Sequence, residues 1–323
     1  MKINKNLAFC IICFPFFYIG SYVLISHYIG GDQVHYRAFY DALSSASYDA
    51  VMLLARGYVS SAEPITAYAL WFGARAGFSK DVFISLINAT FLTFFLLFLR
   101  RNRVHPVFVL LLLSNFYIIV ILTGAERLKF AYFLFIVSAL IEGRSRFFII
   151  MASPAAHLQS FVFIPAIAIY SYAKKIFEIL FTWRLNARFA IAFFCAAGLL
   201  VFLLIVFFQA LLTKAGYYFS NDLRFSSLLQ VFALSLISFP LLKNKMGAVL
   251  LFVYFSVAIL LLGGERVNMI AFSVFTFYLL KERAFSSMRV INLPYLAALA
   301  YFSFKSFGFI RNIMLYGNGF YSV

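Results

Sequence analysis

Apolar runs near the length of a bilayer crossing recur from end to end of this 323-residue chain. A helix needs about 20 residues to cover the hydrocarbon core. Backbone at that depth must satisfy its own hydrogen bonds, so such runs fold as packed helices. The composition agrees: 64% of residues are hydrophobic and 12% are charged, against about 25% charged in a soluble domain. No polar stretch is long enough to form a soluble domain. The predicted fold is all-α, a polytopic membrane protein forming a single integral membrane domain over residues 1–323, with the lipid bilayer as its solvent.

The predicted spans are 7–29, 81–99, 104–122, 127–141, 189–213, 225–242, 247–262, 266–280 and 290–307. Lys2 and Lys5 precede the first, which is too long for a signal-peptide core and lacks a small-x-small cleavage site, so it reads as an uncleaved span. Two segments are irregular. Residues 64–78 are short and contain Arg75, and residues 147–172 contain Pro154, His157 and Pro165. About nine to eleven transmembrane helices result, according to how those two are counted.

Lys and Arg supply a net charge of +16, but they fall in short clusters between the apolar runs. That is the positive-inside pattern rather than a nucleic-acid stripe, so no nucleic-acid partner is expected. A pyrophosphate-bearing substrate is compatible with the basic excess. All basic clusters share the cytoplasmic side if both irregular segments are re-entrant, entering and leaving on one face. The N-terminus is then cytoplasmic. The outer face receives loop 30–63, the corner at 124–127, loop 214–224, the corner at 263–266 and the C-terminal tail. Seven of the eleven acidic residues gather there: Asp32, Asp41, Asp49, Glu63, Glu126, Asp222 and Glu265. If both segments cross fully, the Arg100 cluster lies outside instead.

The two corners, Gly124-Ala-Glu126-Arg127 and Gly263-Gly-Glu265-Arg266, each open a short apolar run. The runs leave no spare length, so Glu and Arg sit at or inside the hydrocarbon edge, in the first helical turn. Neighbouring helix positions point about 100° apart, so Glu126 cannot simply neutralise Arg127. An Arg in a first turn also opposes the helix dipole. That placement suits an anion, because free backbone N–H groups and a guanidinium fork both bind phosphate. The alternative is an edge Arg reaching for water, with Glu as an ordinary helix-start residue.

His157 lies in "SPAAHLQSF", an ionisable residue within an otherwise apolar run. At membrane depth such a residue is a functional candidate, or else a satisfied core histidine. His27, His35 and His105 read as interfacial or loop residues. Loop 30–63 offers Asp32, His35 and Tyr36 to orient sugar hydroxyls, or a carboxylate as general base. Its Tyr36, Phe39, Tyr40 and Leu43 also recur at the spacing of an amphipathic helix. Glu63-Pro64 reads as a helix start. Loop 214–224 offers Tyr217, Tyr218, Asp222 and Arg224, for sugar stacking or for the interfacial aromatic belt. Cys10 and Cys13 have CxxC spacing but no second pair and no nearby His, and read as small core residues. P-loop, GxGxxG, HExxH, Asp-x-Asp and G-x-S-x-G motifs do not occur, so no cofactor or metal is expected.

Taken in order, "GDQVHY" (Asp32, Tyr36), Glu63-Pro64, the basic "RRNR", Arg127 with Ala131, His157 with Ser160, Tyr217/Tyr218 and Arg266 are similar to a known pattern. The chain resembles the EpsG-like, Wzy-type polymerases of bacterial O-antigen, capsule or exopolysaccharide. This sequence has "HLQS" where that family often has a Ser closer to the His. The resemblance implies a GT-C-like fold and a metal-independent glycosyltransferase of the bacterial inner membrane. Its substrate would be an oligosaccharide linked to undecaprenyl pyrophosphate. A flippase and a chain-length regulator would be its partners. Arg127 and Arg266 would bind pyrophosphate. Glu126 or Glu265 would orient them or deprotonate the acceptor, and His157 would be a second candidate base or a phosphate ligand. Asp32 and Tyr36 would bind sugar. The competing classes are a transporter or flippase for lipid-linked glycans or anionic solutes, and another membrane-embedded transferase such as a ligase or acyltransferase.

Overall fold

A computed structural model describes residues 5–182, 225–262 and 264–321. Among the described residues the chain is helical, with short 3-10 turns and no strand. The helices are α1 (Lys5–His27), α2 (Asp32–Leu43), α3 (Val51–Val59), α4 (Pro64–Arg75), α5 (Lys80–Arg101), α6 (Pro106–Leu113), α7 (Phe116–Thr123), α8 (Glu126–Leu140), α9 (Ser145–Ala156), α10 (Phe163–Thr182), α11 (Phe225–Ser238), α12 (Lys245–Leu262), α13 (Gly264–Lys281) and α14 (Leu293–Tyr316). The predicted span 189–213 lies outside the described residues. Among the described residues, four helical segments are long and apolar enough to cross a membrane, or five with the bent α6–α7 pair taken as one span. Large apolar side chains stand exposed on α1, among them Ile12 and Phe16, as suits a helix surrounded by lipid. This is a multi-pass membrane protein by composition and helix length.

Two compact units form. One runs to Phe161 and resumes at Arg283; the other spans Val162–Glu282. In the first, α5 is its axis. Lys80 at its start bonds Glu126 at the start of α8, and Arg101 at its end donates to the Leu140 carbonyl at the end of α8. The two helices therefore run parallel. With 22 residues, α5 is about 33 Å long. α1 runs antiparallel to it, with Asn6 beside Arg100 and Ser21 beside Asn88.

Residues 104–122 are predicted as one continuous helix, and here the structure differs. The run breaks at Ser114-Asn115 into α6 and α7, bent by 42°. Asn115 caps the new helix, its Oδ1 accepting from the Tyr117 N–H at 2.9 Å. The freed Ser114 carbonyl accepts from Ser306 Oγ of α14 at 2.6 Å. A broken helix at membrane depth persists only with such replacement partners.

The segment from Glu63 to Lys80 begins and ends at the same end of this unit, because both residues bond the first turn of α8. α4, of 12 residues, covers only about 18 Å. The irregular run 147–172 resolves into α9, an extended His157, a 3-10 turn, and α10 continuing past residue 172 to Thr182. Loop 30–63 carries the amphipathic helix that its spacing predicts: Tyr36, Phe39, Tyr40 and Leu43 of α2 are all buried. Phe39, Tyr40 and Leu43 join Ile25, Leu70, Phe83 and Phe130 in one apolar core near the starts of α5 and α8.

That core is tight at Gly73. A Cβ there would meet the Phe83 ring at 2.5–2.7 Å. Gly73→Ala should therefore cost about 1–3 kcal/mol through overpacking, read as a lower melting temperature of the detergent-purified protein. An unchanged melt would show that the ring yields freely.

In the second unit Glu282 ties three helices. One oxygen accepts from Tyr170 Oη of α10 and the other from the Lys243 N–H before α12, each at 2.6 Å, while Glu282 itself follows α13. Asn244 Nδ2 closes the set on the Tyr170 carbonyl at 2.7 Å.

Candidate functional site

The first turn of α8 has no side-chain cap; Ala125 occupies that position. Its two charged residues diverge, as adjacent helix positions must. Arg127 turns toward Glu63, with NH1 3.0 Å from Oε2 and 3.4 Å from the Ser60 carbonyl. The guanidinium also hydrogen-bonds the Tyr36 hydroxyl. Glu126 turns to the other side, where its Oε1 meets Lys80 Nζ at 2.5 Å. Lys80 also donates to Gln33 Oε1 at 2.6 Å, and Gln33 Nε2 donates to the Thr123 carbonyl. Glu126 or Glu265 is expected to orient the arginines or deprotonate the acceptor; in the structure Glu63 makes the contact with Arg127, and Glu126 belongs to a separate Lys80–Gln33 cluster.

Glu63 is the hub. Its side chain is fully buried, and its second oxygen lies 3.1 Å from His157 Nδ1 and 3.4 Å from the Leu158 N–H. Ser61 Oγ donates to the first oxygen, beside Arg127. Local sequence makes the hub possible. Pro64 needs no N–H partner and opens α4, which leaves Glu63 extended at the N-cap position with its carboxylate directed elsewhere. Pro154 weakens the last turn of α9, and His157 leaves the helix in an extended conformation, φ −159° and ψ 123°. Thr66 Oγ1 bonds the Ala156 carbonyl at 2.8 Å and so fixes α4 against that exit.

The dyad has a defined chemistry. When Nδ1–H donates to Glu63, a neutral ring leaves Nε2 as an acceptor. Nε2 lies 3.1 Å from Gln159 Oε1, which a protonated ring would bond as a donor. Glu63 thus orients the ring and selects the tautomer that carries its proton on Nδ1. Burial pushes the Tyr36 phenol up to about 12, countered in part by Arg127. Its neutral form therefore persists through physiological pH, and Tyr36 serves there as a hydrogen-bonding group rather than a base.

Of the residues named from sequence, Arg127, His157 and Tyr36 come together around Glu63. Asp32 is exposed in the first turn of α2 and stands outside the hydrogen-bonded set. Arg266 is exposed in the first turn of α13, in the second unit, with Glu265 beside it in sequence. Tyr217, Tyr218 and Arg224 lie outside the described residues. Glu63, Lys80 and Gln33 were not predicted as site residues. Glu63-Pro64 was the one available signal, an acidic residue opening an apolar helix. No group of three or more His, Cys, Asp or Glu able to hold a metal occurs among the described residues. No protein-family model, curated protein or solved structure matches the chain.

Proposed function

We propose that this protein polymerises lipid-linked oligosaccharide repeat units. It would transfer the growing glycan from undecaprenyl pyrophosphate onto a new repeat unit, on the outer face of a bacterial inner membrane. The convergence at Glu63 carries this reading. Tyr36, Glu63, Arg127 and His157, four elements of the polymerase resemblance spread over more than 120 positions, meet at one end of one helical unit. The basic residues Arg100 and Arg101 lie at the opposite end of α5, where a cytoplasmic face would be. In that frame the segment around α4 is re-entrant from the outer side, the N-terminus is cytoplasmic and the fold is GT-C-like.

His157 Nε2 takes the proton of the acceptor sugar hydroxyl as that oxygen attacks the anomeric carbon of the donor. The anomeric C–O bond breaks and its electron pair leaves on the pyrophosphate. Positive groups fixed at the first turn of α8 favour that departure, because they need no reorganisation as charge develops.

The test is a glycan gel from the native host. Loss of the protein should leave one repeat unit per anchor; loss of all surface glycan would favour the flippase reading instead. His157→Ala and Arg127→Ala chains, confirmed as inserted, should each leave single repeat units, with elongation down roughly 100-fold or more. Full ladders from both would remove the proposal.

A further inference from the structure

Lys129 is fully buried, and its Nζ has no hydrogen-bond partner among the described residues. It stands one turn after Glu126 on the same face of α8, and helical side chains lean toward the N-terminus, so the ammonium points back to the uncapped first turn. The cation expected there from sequence, Arg127, is already occupied by Glu63, Ser60 and Tyr36. Glu126 is matched by Lys80 through one oxygen, while its Oε2 has no hydrogen-bond partner. Two lysines thus stand beside one carboxylate, an excess of one positive charge in a buried cluster whenever Lys129 is protonated. Such an excess is costly unless an anion answers it.

We infer that Lys129 is the phosphoryl anchor of this site: its ammonium receives an anionic oxygen of the donor pyrophosphate at the first turn of α8. The free Glu126 Oε2 suits an adjacent sugar hydroxyl, which a glycosyl pyrophosphate presents next to its charge. Gln33 and Tyr36 of α2 cover this turn, both buried, so the ligand enters when that cover lifts. The assignment of the anion to a glycan donor rests on the polymerase reading; the anion site itself does not.

The experiment uses the full chain in lipid nanodiscs, with inorganic pyrophosphate and farnesyl pyrophosphate as probes and calorimetry as the readout. Wild type should bind, and Lys129→Arg should retain binding. Lys129→Met should bind roughly 10- to 100-fold more weakly, the loss of one charged hydrogen bond. Its melting temperature without ligand should equal or exceed the wild-type value, because an unpaired buried charge is gone. A structural role would instead lower the melt. Preference for farnesyl over inorganic pyrophosphate supports a lipid-carrier source; equal affinities support a free anion at the same site. Wild-type binding by Lys129→Met, or no binding of either probe by wild type, overturns the inference. Lost binding with a full glycan ladder in the host overturns the assignment of this anion to the glycan donor and leaves the anion site standing.

Discussion

A Glu63→Ala chain should lose about 3–5 kcal/mol of stability, the cost of stranding buried partners of a removed charge. The size follows from what the carboxylate satisfies: Arg127, His157, Ser61 and the Leu158 N–H, in a place water does not reach. Its deletion leaves a guanidinium without its counterion and an imidazole without the acceptor that orients it. Thermal melts in detergent measure the loss. Adding Arg127→Met to Glu63→Ala should recover part of it, since the stranded charge is then removed too. A Glu63→Ala protein that melts like wild type would show that the contacts are not energetically coupled.

The second large effect is expected at Lys80. Its Nζ bonds both Glu126 and Gln33, and the Lys80 and Glu126 side chains are 4% and 0% exposed. Lys80→Met should cost about 3–5 kcal/mol, because Glu126 then stays buried without its main counterion. The double variant Lys80→Met with Glu126→Gln should be more stable than Lys80→Met alone. The cycle formed with the single variants should give a coupling of about 0.5–3 kcal/mol. Additive effects would contradict a direct pair.

Much of this was legible where physics is local. Span-length apolar runs mark helices, and the spacing of Tyr36, Phe39, Tyr40 and Leu43 marks the buried face of α2. Arg127 and His157 stand out because charge is expensive in an apolar run. The rest was hidden by distance along the chain. Glu63 meets partners 64 and 94 residues away, and no periodicity reveals that. Read locally, it is a helix start and nothing more. Lys80 reads as the polar edge of a span for the same reason. The break at Ser114-Asn115 depends on Ser306 of α14, 192 residues on. Arg127 reads from sequence as a pyrophosphate ligand, but only the Glu63 contact shows that its charge is matched, while Lys129 Nζ has no hydrogen-bond partner among the described residues.

The most direct test is the glycan gel of a Glu63→Gln chain in the native host, with membrane insertion confirmed by blotting. Gln fills the space and keeps one acceptor oxygen, but it removes the charge that holds Arg127 and faces His157. The account predicts single repeat units with no ladder. A full-length ladder from an inserted Glu63→Gln protein would contradict it.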